Sequence, residues 1–248
     1  MATTTVAVIN QKGGTGKTTT TINLGSALSK LGKRVLLLDL DPQSNLSYSL
    51  AVTEPKATLA DAFLGNSALQ DVLVEKDGLW VAPGSNELVD IEISLVSQPE
   101  REKFLKNMLQ ELKDFDYILI DCPPSLSVLT INALTASDEV LVPLQMEVLT
   151  LQGLDQILNT VQKIKKAFNP KLKIKGIVVV MFDVRRKLSL EVLDYLQQNV
   201  KEHIFKQNIR LNVKLAEAPS FGRSVIDYDA GSNGAKDYMA LAEEFITR

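Results

Sequence analysis

Residues 11–21, which read QKGGTGKTTTT, combine three glycines with two lysines and a run of threonines. Glycines let the backbone curl closely around phosphate oxygens and aim its N–H groups inward. A lysine followed by a threonine adds a cation for the phosphates and a hydroxyl for Mg²⁺. The stretch therefore predicts a site for a nucleoside triphosphate, with these contacting residues: Gly13, Gly14, Thr15, Gly16, Lys17, Thr18 and Thr19.

Two positions in this stretch depart from the usual G-x-x-x-x-G-K-[ST] pattern. Gln11 stands where the first glycine is expected, and Lys12 is a second lysine five residues before Lys17. The glycines alone are equally typical of a strand-to-helix turn that binds a dinucleotide or nothing. Residue pattern alone also leaves Lys12 open, since it is either functional or an ordinary solvated loop lysine.

Acidic residues follow two other apolar runs. Asp39 and Asp41 are the two aspartates of the run LLLDLD (36–41), and Asp121 ends the run YILID (117–121). Carboxylates at the carboxyl ends of parallel strands face the ligand crevice of an open α/β sheet. An aspartate at such a strand end is typical of the Mg²⁺ side of a phosphate-loop site. One such acid alone could be a solvated turn residue, but three of them favour this site.

The elements that must position these residues alternate along the chain. Continuous apolar, β-branched runs predict strands at 5–10, 34–39, 79–83, 117–121, 139–144 and 175–182. Helical periodicity predicts helices at 17–31, 100–113, 125–136, 150–168, 188–201 and 234–247. This order predicts an α/β fold, a doubly wound, mostly parallel sheet with helices on both faces.

Length and composition limit the alternatives. The 248 residues, without a repeat or a flexible linker, predict a single domain over 1–248. One cysteine and one histidine exclude a disulfide framework or a zinc site within one chain. Neither an export signal nor an apolar run of membrane length is visible, so we expect a cytoplasmic protein.

Several stretches together resemble one family. The chain is similar to the deviant phosphate-loop ATPases, and specifically to the ParA/Soj partition ATPases of chromosomes and plasmids. The resemblance covers almost the whole chain and rests on KGGTGKTT, DLDPQ, IDCPPS, LVPLQMEVLTLQGL (141–154), MFDVRRKLS (181–189) and NVKLAEAPSFGRSVIDYD (212–229).

The resemblance implies roles for the residues named above. It implies a homodimer that sandwiches ATP and Mg²⁺, in which Lys12 reaches the nucleotide of the partner subunit. Asp41 matches the carboxylate that positions the attacking water, so Lys12, Lys17 and Asp41 are the expected catalytic residues. Thr18 matches the Mg²⁺ ligand and Asp121 the outer-sphere Mg²⁺ acid.

The stretch IRLNV (209–213) corresponds to the purine clamp of this family, which typically reads Ile-Pro-Arg-Asn-Val. Arg210 and Leu211 replace the proline and the arginine, whereas Asn212 is retained. The resemblance implies that Arg210 and Asn212 contact the base.

Charge is unevenly distributed along the chain. The protein carries a net charge of −3, but residues 163–223 hold 14 of the 27 Lys and Arg and only 5 of the 30 acidic residues. A basic region of this kind suits binding to a phosphate backbone, although it also fits a solvated helix face. The residues predicted to hold DNA are Arg185, Arg186, Lys214 and Arg223.

Three functional classes compete. The first, which we favour, is a nucleoid-associated partition ATPase. Its ATP-bound dimer binds nonspecific double-stranded DNA, and a ParB-like centromere-binding protein stimulates its slow hydrolysis. The second is a MinD-like positioning ATPase that acts on a membrane or other cargo, but the acidic, mixed ending GAKDYMALAEEFITR lacks the basic amphipathic helix that it needs. The third is a metabolic enzyme of the same fold, for which a bridging iron–sulfur cluster would need more than Cys122.

Overall fold

The computed structural model of the protein describes residues 3–147 and 150–248. Residues 1 and 2, and residues 148 and 149 within the family-like stretch 141–154, lie outside the described part. Seven strands form one sheet in the order β3-β4-β2-β5-β1-β6-β7. The strands are β1 (Thr4–Val8), β2 (Val35–Asp39), β3 (Val74–Lys76), β4 (Leu79–Ala82), β5 (Tyr117–Asp121), β6 (Glu139–Gln145) and β7 (Lys173–Val180).

All neighbouring strands of this sheet run parallel except β3 and β4, which pair antiparallel. The helices are α1 (Lys17–Lys30), α2 (Asn45–Ser49), α3 (Leu59–Leu64), α4 (Leu69–Val72), α5 (Leu88–Leu95), α6 (Phe104–Leu109), α7 (Val128–Ala136), α8 (Thr150–Ala167), α9 (Lys187–Asn199), α10 (Val213–Glu217), α11 (Val225–Tyr228) and α12 (Asn233–Thr247). A 3-10 turn, Ala218–Phe221, joins α10 to α11. None of the helices within the described residues is long and apolar enough to cross a bilayer.

The strands are apolar on both faces because each face packs against helices. In β2, Leu36 and Leu38 belong to one core, which also contains residues of α3, α5, α7 and α8. Leu37 faces the opposite way into a second core, which contains residues of α1 and α12. Alternate residues of one strand thus enter two separate cores, and the predicted doubly wound sheet is confirmed.

The structure adds elements that the sequence did not predict. β3 was not predicted, and it forms a hairpin with β4, which matches the strand predicted at 79–83. The turn residues of this hairpin, Asp77 and Gly78, both have positive φ angles, 52° and 81°. The segment between β2 and β5 also holds the short helices α2 to α5, and the helix predicted at 100–113 spans only Phe104–Leu109. Elements of three to eight residues contain too few turns or alternations to show a clear period.

The outer edge of β7 is covered by the segment 203–211. Ile177 donates its N–H to the carbonyl of His203 at 2.8 Å, and Phe205 donates back to Ile177 at 2.9 Å. Further along, Ile209 donates to the carbonyl of Val179 at 2.8 Å. Residues 209–212 therefore lie directly beside the carboxyl end of β7.

Candidate functional site

The glycine-rich loop lies between β1 and α1, at the carboxyl ends of the parallel strands. Gly14 and Gly16 adopt left-handed conformations, with φ angles of 73° and 77°. Gly16 is the N-cap of α1, yet no side chain caps this helix end and no acidic residue lies in its first turn. The first N–H groups of α1 are thus free to bind an anion such as a phosphate.

Lys17, the first residue of α1, is buried, with 7% of its surface exposed. Its Nζ atom lies 3.5 Å from the carbonyl oxygen of Lys12, and within the described residues it forms no ion pair with a carboxylate. A buried cation without a counter-ion is unfavourable. The loop is therefore built to receive a negatively charged group beside Lys17.

Thr18 and Asp121 form the next part of the site. The Thr18 hydroxyl donates to Oδ2 of Asp121 at 2.6 Å, and Asp121 is 1% exposed. Oδ1 of Asp121 is buried without a hydrogen-bond partner among the described residues. A hydroxyl and a carboxylate with a spare oxygen fit Mg²⁺, which prefers oxygen ligands and keeps several waters. Across the described residues, no cluster of three or more His, Cys, Asp or Glu forms a fuller metal cage.

Asp39 lies beside Asp121, since the two residues are paired in the register of β2 and β5. Oδ2 of Asp39 accepts the backbone N–H of Ser47 at 2.8 Å and the Ser47 hydroxyl at 2.7 Å. The same hydroxyl accepts the N–H of Gly84 at 3.1 Å. Asp39 therefore joins the end of β2 to α2 and to the loop after β4.

The burial of these two acids has an electrostatic consequence. Burial raises the pKa of Asp39 from its ordinary value of 3.8 to about 6, against the lowering effect of the Ser47 hydrogen bonds. Burial, together with the charge of Asp39, also raises the pKa of Asp121 well above its usual range. Two adjacent buried carboxylates repel each other, so a divalent cation at this position would relieve the repulsion.

We expect the Asp39 carboxyl to make a contribution to the stability of the nucleotide-free, Mg²⁺-free protein that grows as the pH falls from 7 to 4. The folded pKa of Asp39, about 6, exceeds its ordinary 3.8, so the folded state binds the proton more tightly than the unfolded state. Asp39→Asn removes this titration, and its stability relative to the parent should shift by about 2 kcal/mol between these pH values. Urea unfolding at both pH values measures the shift. Asp71→Asn, at an exposed acid on α4, is the control, and an equal pH dependence in Asp39→Asn and the parent would contradict the assignment.

Asp41 lies two residues beyond β2 and is held in a turn. Its Oδ1 atom accepts the N–H of Gln43 at 3.0 Å, and its carbonyl accepts the N–H of Ser44 at 2.8 Å. Its Oδ2 atom forms no hydrogen bond among the described residues, and the residue is 8% exposed. One carboxylate oxygen is thus fixed and the other remains able to accept a proton or a water.

Lys12 lies at the outer rim of the loop. Its Nζ atom forms an ion pair with Oε2 of Glu147 at 2.7 Å, and the two side chains are 54% and 43% exposed. Its backbone N–H donates to Oδ1 of Asn10, and Nδ2 of Asn10 donates to the carbonyl of Pro143 at 2.7 Å. An exposed ion pair contributes little to stability. The Lys12 side chain is therefore held by one exposed ion pair, which another anion could replace at little cost.

A cavity of about 240 Å³ opens beside the loop and is mostly apolar. Its lining includes Gly16 and Thr19 from the loop and α1, and Asn212 from the predicted base clamp. Oδ1 of Asn212 caps α10 by accepting the N–H of Lys214 at 2.9 Å. Tyr238 of α12, which the sequence analysis missed, also lines this cavity. The phosphate loop and the predicted base clamp thus border the same space.

Arg210 also borders this cavity, but its side chain is engaged elsewhere. The guanidinium forms an ion pair with the buried Asp237, with 2.6 Å between Nη2 and Oδ1. Arg210 was predicted among the nucleotide contacts, but its guanidinium is engaged by Asp237. No local sequence signal joins residue 210 to residue 237.

The four basic residues predicted to hold DNA differ in their surroundings. Arg185 is paired with Asp183 through two contacts of 2.9 Å, and Lys214 is paired with Glu217 at 2.8 Å. Arg186 and Arg223 are exposed and form no ion pair within the described ranges. Lys214 is only partly exposed, whereas the other three residues are exposed.

The fold and the site define a class of protein. The first strand of the parallel sheet leads through a glycine-rich loop into an uncapped helix, and that helix begins with a buried lysine that forms no ion pair among the described residues. This arrangement is typical of a phosphate-loop nucleotide-binding protein. A family model described as an AAA domain matches residues 3–174. The chain belongs to the ParA/Soj family of chromosome-partitioning ATPases, as the sequence comparisons show.

Two relatives illustrate that membership. The chromosome partitioning protein ParA of Caulobacter vibrioides is 42% identical over 250 residues, which cover 98% of this chain and 94% of the relative. The sporulation initiation inhibitor protein Soj of Bacillus subtilis is 43% identical over 244 residues and 96% of each chain. The family resemblance predicted from the motifs is confirmed.

Solved structures of other members of the fold are also similar. Cobyrinic acid a,c-diamide synthase of Mycobacterium smegmatis, with bound ADP and magnesium, superposes with a TM-score of 0.85 at 36% identity, covering 98% of this chain and 93% of that one. The cell division ATPase MinD of Pyrococcus furiosus gives a TM-score of 0.82 at 28% identity, with 98% of each chain covered. The same architecture thus supports a synthase and a cell division ATPase, so the fold alone does not assign a function.

Proposed function

We propose that this protein is an ATP-dependent DNA partition ATPase. The observation that supports this most strongly is the buried Lys17, without an ion pair among the described residues, at the uncapped start of α1, because this arrangement offers a cation and backbone N–H groups to an anion. The family and the nucleotide in a related structure support ATP as that anion. ATP hydrolysis to ADP and phosphate is the proposed reaction.

Each residue of the site has a proposed part in hydrolysis. Lys17 and the N–H groups of the loop bind the phosphates and hold the terminal one in line. Thr18 and Asp121 would hold Mg²⁺, which neutralises phosphate charge when bound. Asp41 orients the attacking water through its free carboxylate oxygen.

The site is completed by a second subunit in this proposal. Lys12 points outward at the rim and is held there only by an exposed ion pair with Glu147. In the ATP-bound homodimer, Lys12 leaves Glu147 and binds the phosphates of the partner's nucleotide, where it stabilises the charge that develops during transfer. Hydrolysis by the isolated monomer is accordingly slow.

Dimerisation then controls DNA binding and partner recognition. Each subunit contributes only a few cations, and a dimer doubles the number of phosphates neutralised. The ATP-bound dimer therefore binds nonspecific double-stranded DNA and associates with the nucleoid. A ParB-like centromere-binding protein stimulates hydrolysis and releases the dimer.

The direct test of this function is DNA binding with three nucleotide states. Fluorescence anisotropy of an unrelated duplex is measured with Mg-ATP, with Mg-ADP and without nucleotide. Binding in ATP alone is the expected result, because only ATP forms the dimer. Equal binding in all three states, or none in any, would contradict the partition function and favour a metabolic or membrane role for the same ATPase.

The four predicted DNA contacts should differ in their effect. Arg186→Ala/Arg223→Ala removes two free cations from each subunit, so the slope of log K against log salt should fall by roughly four units, at about 0.9 per neutralised phosphate. Arg185→Ala/Lys214→Ala should change the slope less, because Asp183 and Glu217 already hold those cations. A salt titration of ATP-dependent binding measures both slopes.

The two double variants control for each other, since each removes two positive charges per subunit. ATP hydrolysis without DNA should remain near the parent value in both. If the variant lacking all four cations binds DNA with the parent affinity and slope, the DNA surface lies elsewhere on the protein.

A further inference from the structure

Asp237 is a buried acid on α12 that lies behind the wall of the cavity. It is 3% exposed and accepts three hydrogen bonds from Arg210: one from the backbone N–H at 3.0 Å, one from Nε at 3.0 Å and one from Nη2 at 2.6 Å. Gln207 Nε2 adds a contact at 3.3 Å. A single carboxylate thus binds both the main chain and the side chain of Arg210.

The backbone of this segment explains why such an acceptor is needed. Ile209 and Leu211 donate their N–H groups to the carbonyls of Val179 and Phe182, at 2.8 and 3.1 Å. The N–H of Arg210 lies between them and points the other way, where Asp237 is its acceptor among the described residues. An N–H group left without a partner in a folded chain is costly. Asp237 therefore fixes the path of residues 209–212.

The same helix also contacts the other side of the cavity. Tyr238, the residue after Asp237, lines the cavity, and its hydroxyl lies 3.1 Å from the Thr20 hydroxyl of α1. Asp237 holds the wall formed by residues 209–212, while Tyr238 contacts the helix that follows the phosphate loop. α12 thus sets the distance between the two walls.

We propose that Asp237 is a positioning residue for the base of the bound nucleotide. It acts through Arg210: it keeps the 209–212 backbone against the base and keeps the guanidinium out of an otherwise apolar cavity. This inference rests on the proposed function, in that a nucleoside triphosphate occupies the loop and its base occupies the cavity. Asp237 has no part in holding the phosphates.

The test separates the base from the phosphates. Binding of Mg-ATP and of Mg-tripolyphosphate, which has no base, is measured by calorimetry for the parent and for Asp237→Ala. We expect the affinity for ATP to fall by about tenfold, as for the loss of a hydrogen bond to a charged group, with the affinity for tripolyphosphate unchanged. A parallel loss of both ligands, or an unchanged affinity for ATP, overturns the proposal. Failure of the parent to bind either ligand would instead contradict the proposed function.

Two further variants keep the test decisive. Asp227→Ala removes an acid paired with Lys30 at 2.7 Å, outside the cavity lining, and should leave both affinities unchanged. Arg210→Pro/Asp237→Ala removes the N–H and the guanidinium together with their acceptor, and should restore ATP affinity to within about threefold of the parent. A folded double variant that binds ATP as weakly as Asp237→Ala overturns the proposal. If Asp237→Ala does not fold, the folded double variant is compared with the parent alone, and a loss of ATP affinity of about tenfold or more overturns the proposal.

Discussion

Lys17→Ala is expected to weaken ATP binding by about 100-fold or more, because the bound phosphates lose a charged, buried hydrogen-bond donor. Lys17 lies at the start of α1 with no counter-ion among the described residues, so its charge is available to the ligand. Affinity for tripolyphosphate should fall with affinity for ATP, since the lost contact is to phosphate. Equilibrium dialysis with labelled ATP and calorimetry with tripolyphosphate measure both.

Lys30→Ala provides the matched control for this variant. Lys30 is on the same helix, in its last turn, and its ion pair with Asp227 is partly exposed. It should bind ATP like the parent. Parent-like ATP affinity in Lys17→Ala would show that the glycine-rich loop is not the phosphate site.

Lys12→Ala and Asp41→Ala should have opposite effects on the dimer. Without Lys12, each subunit still binds ATP through its own loop, but the contact to the partner's phosphates is lost and the dimer should not form. Without Asp41, the phosphate contacts remain while the attacking water is no longer held, so hydrolysis should fall by about 100-fold or more and ATP-bound dimers should accumulate.

Light scattering with Mg-ATP and phosphate release together distinguish the two variants. Glu147→Gln is the matched control for Lys12→Ala, because it also removes the ion pair seen at the rim but leaves the lysine in place. It should dimerise at least as well as the parent. If Lys12→Ala and Asp41→Ala both dimerise like the parent, Lys12 does not act across the interface.

Sequence patterns predicted the parallel sheet well, for a physical reason. A strand buried on both faces must be apolar throughout, and runs such as YILID show this without any knowledge of their neighbours. β3 has only three residues, two of them charged, and it is a strand because β4 folds back beside it. Short helices such as α4 similarly depend on the cores against which they pack.

The same distinction applies to the site. The glycine-rich loop, Lys17 and Thr18 were predicted because their chemistry lies within a few consecutive residues. Glu147 and Asp237 were not, because each is separated from its partner by many residues along the chain, 135 for Glu147 and 27 for Asp237. Only the fold brings these acids to the lysine and the arginine that they hold.

The covered edge of β7 limits how copies of this protein can associate. Exposed edge strands invite pairing with another chain, which leads to continuous intermolecular sheets or to aggregation. Segment 203–211 blocks that route at one edge, and the short, charged, antiparallel β3 offers little to pair with at the other. Joining two subunits through backbone ladders is therefore disfavoured. In the proposed ATP-bound dimer, assembly would instead be reversible with the ligand that the subunits enclose, whereas a ladder between edges would persist after the ligand had gone.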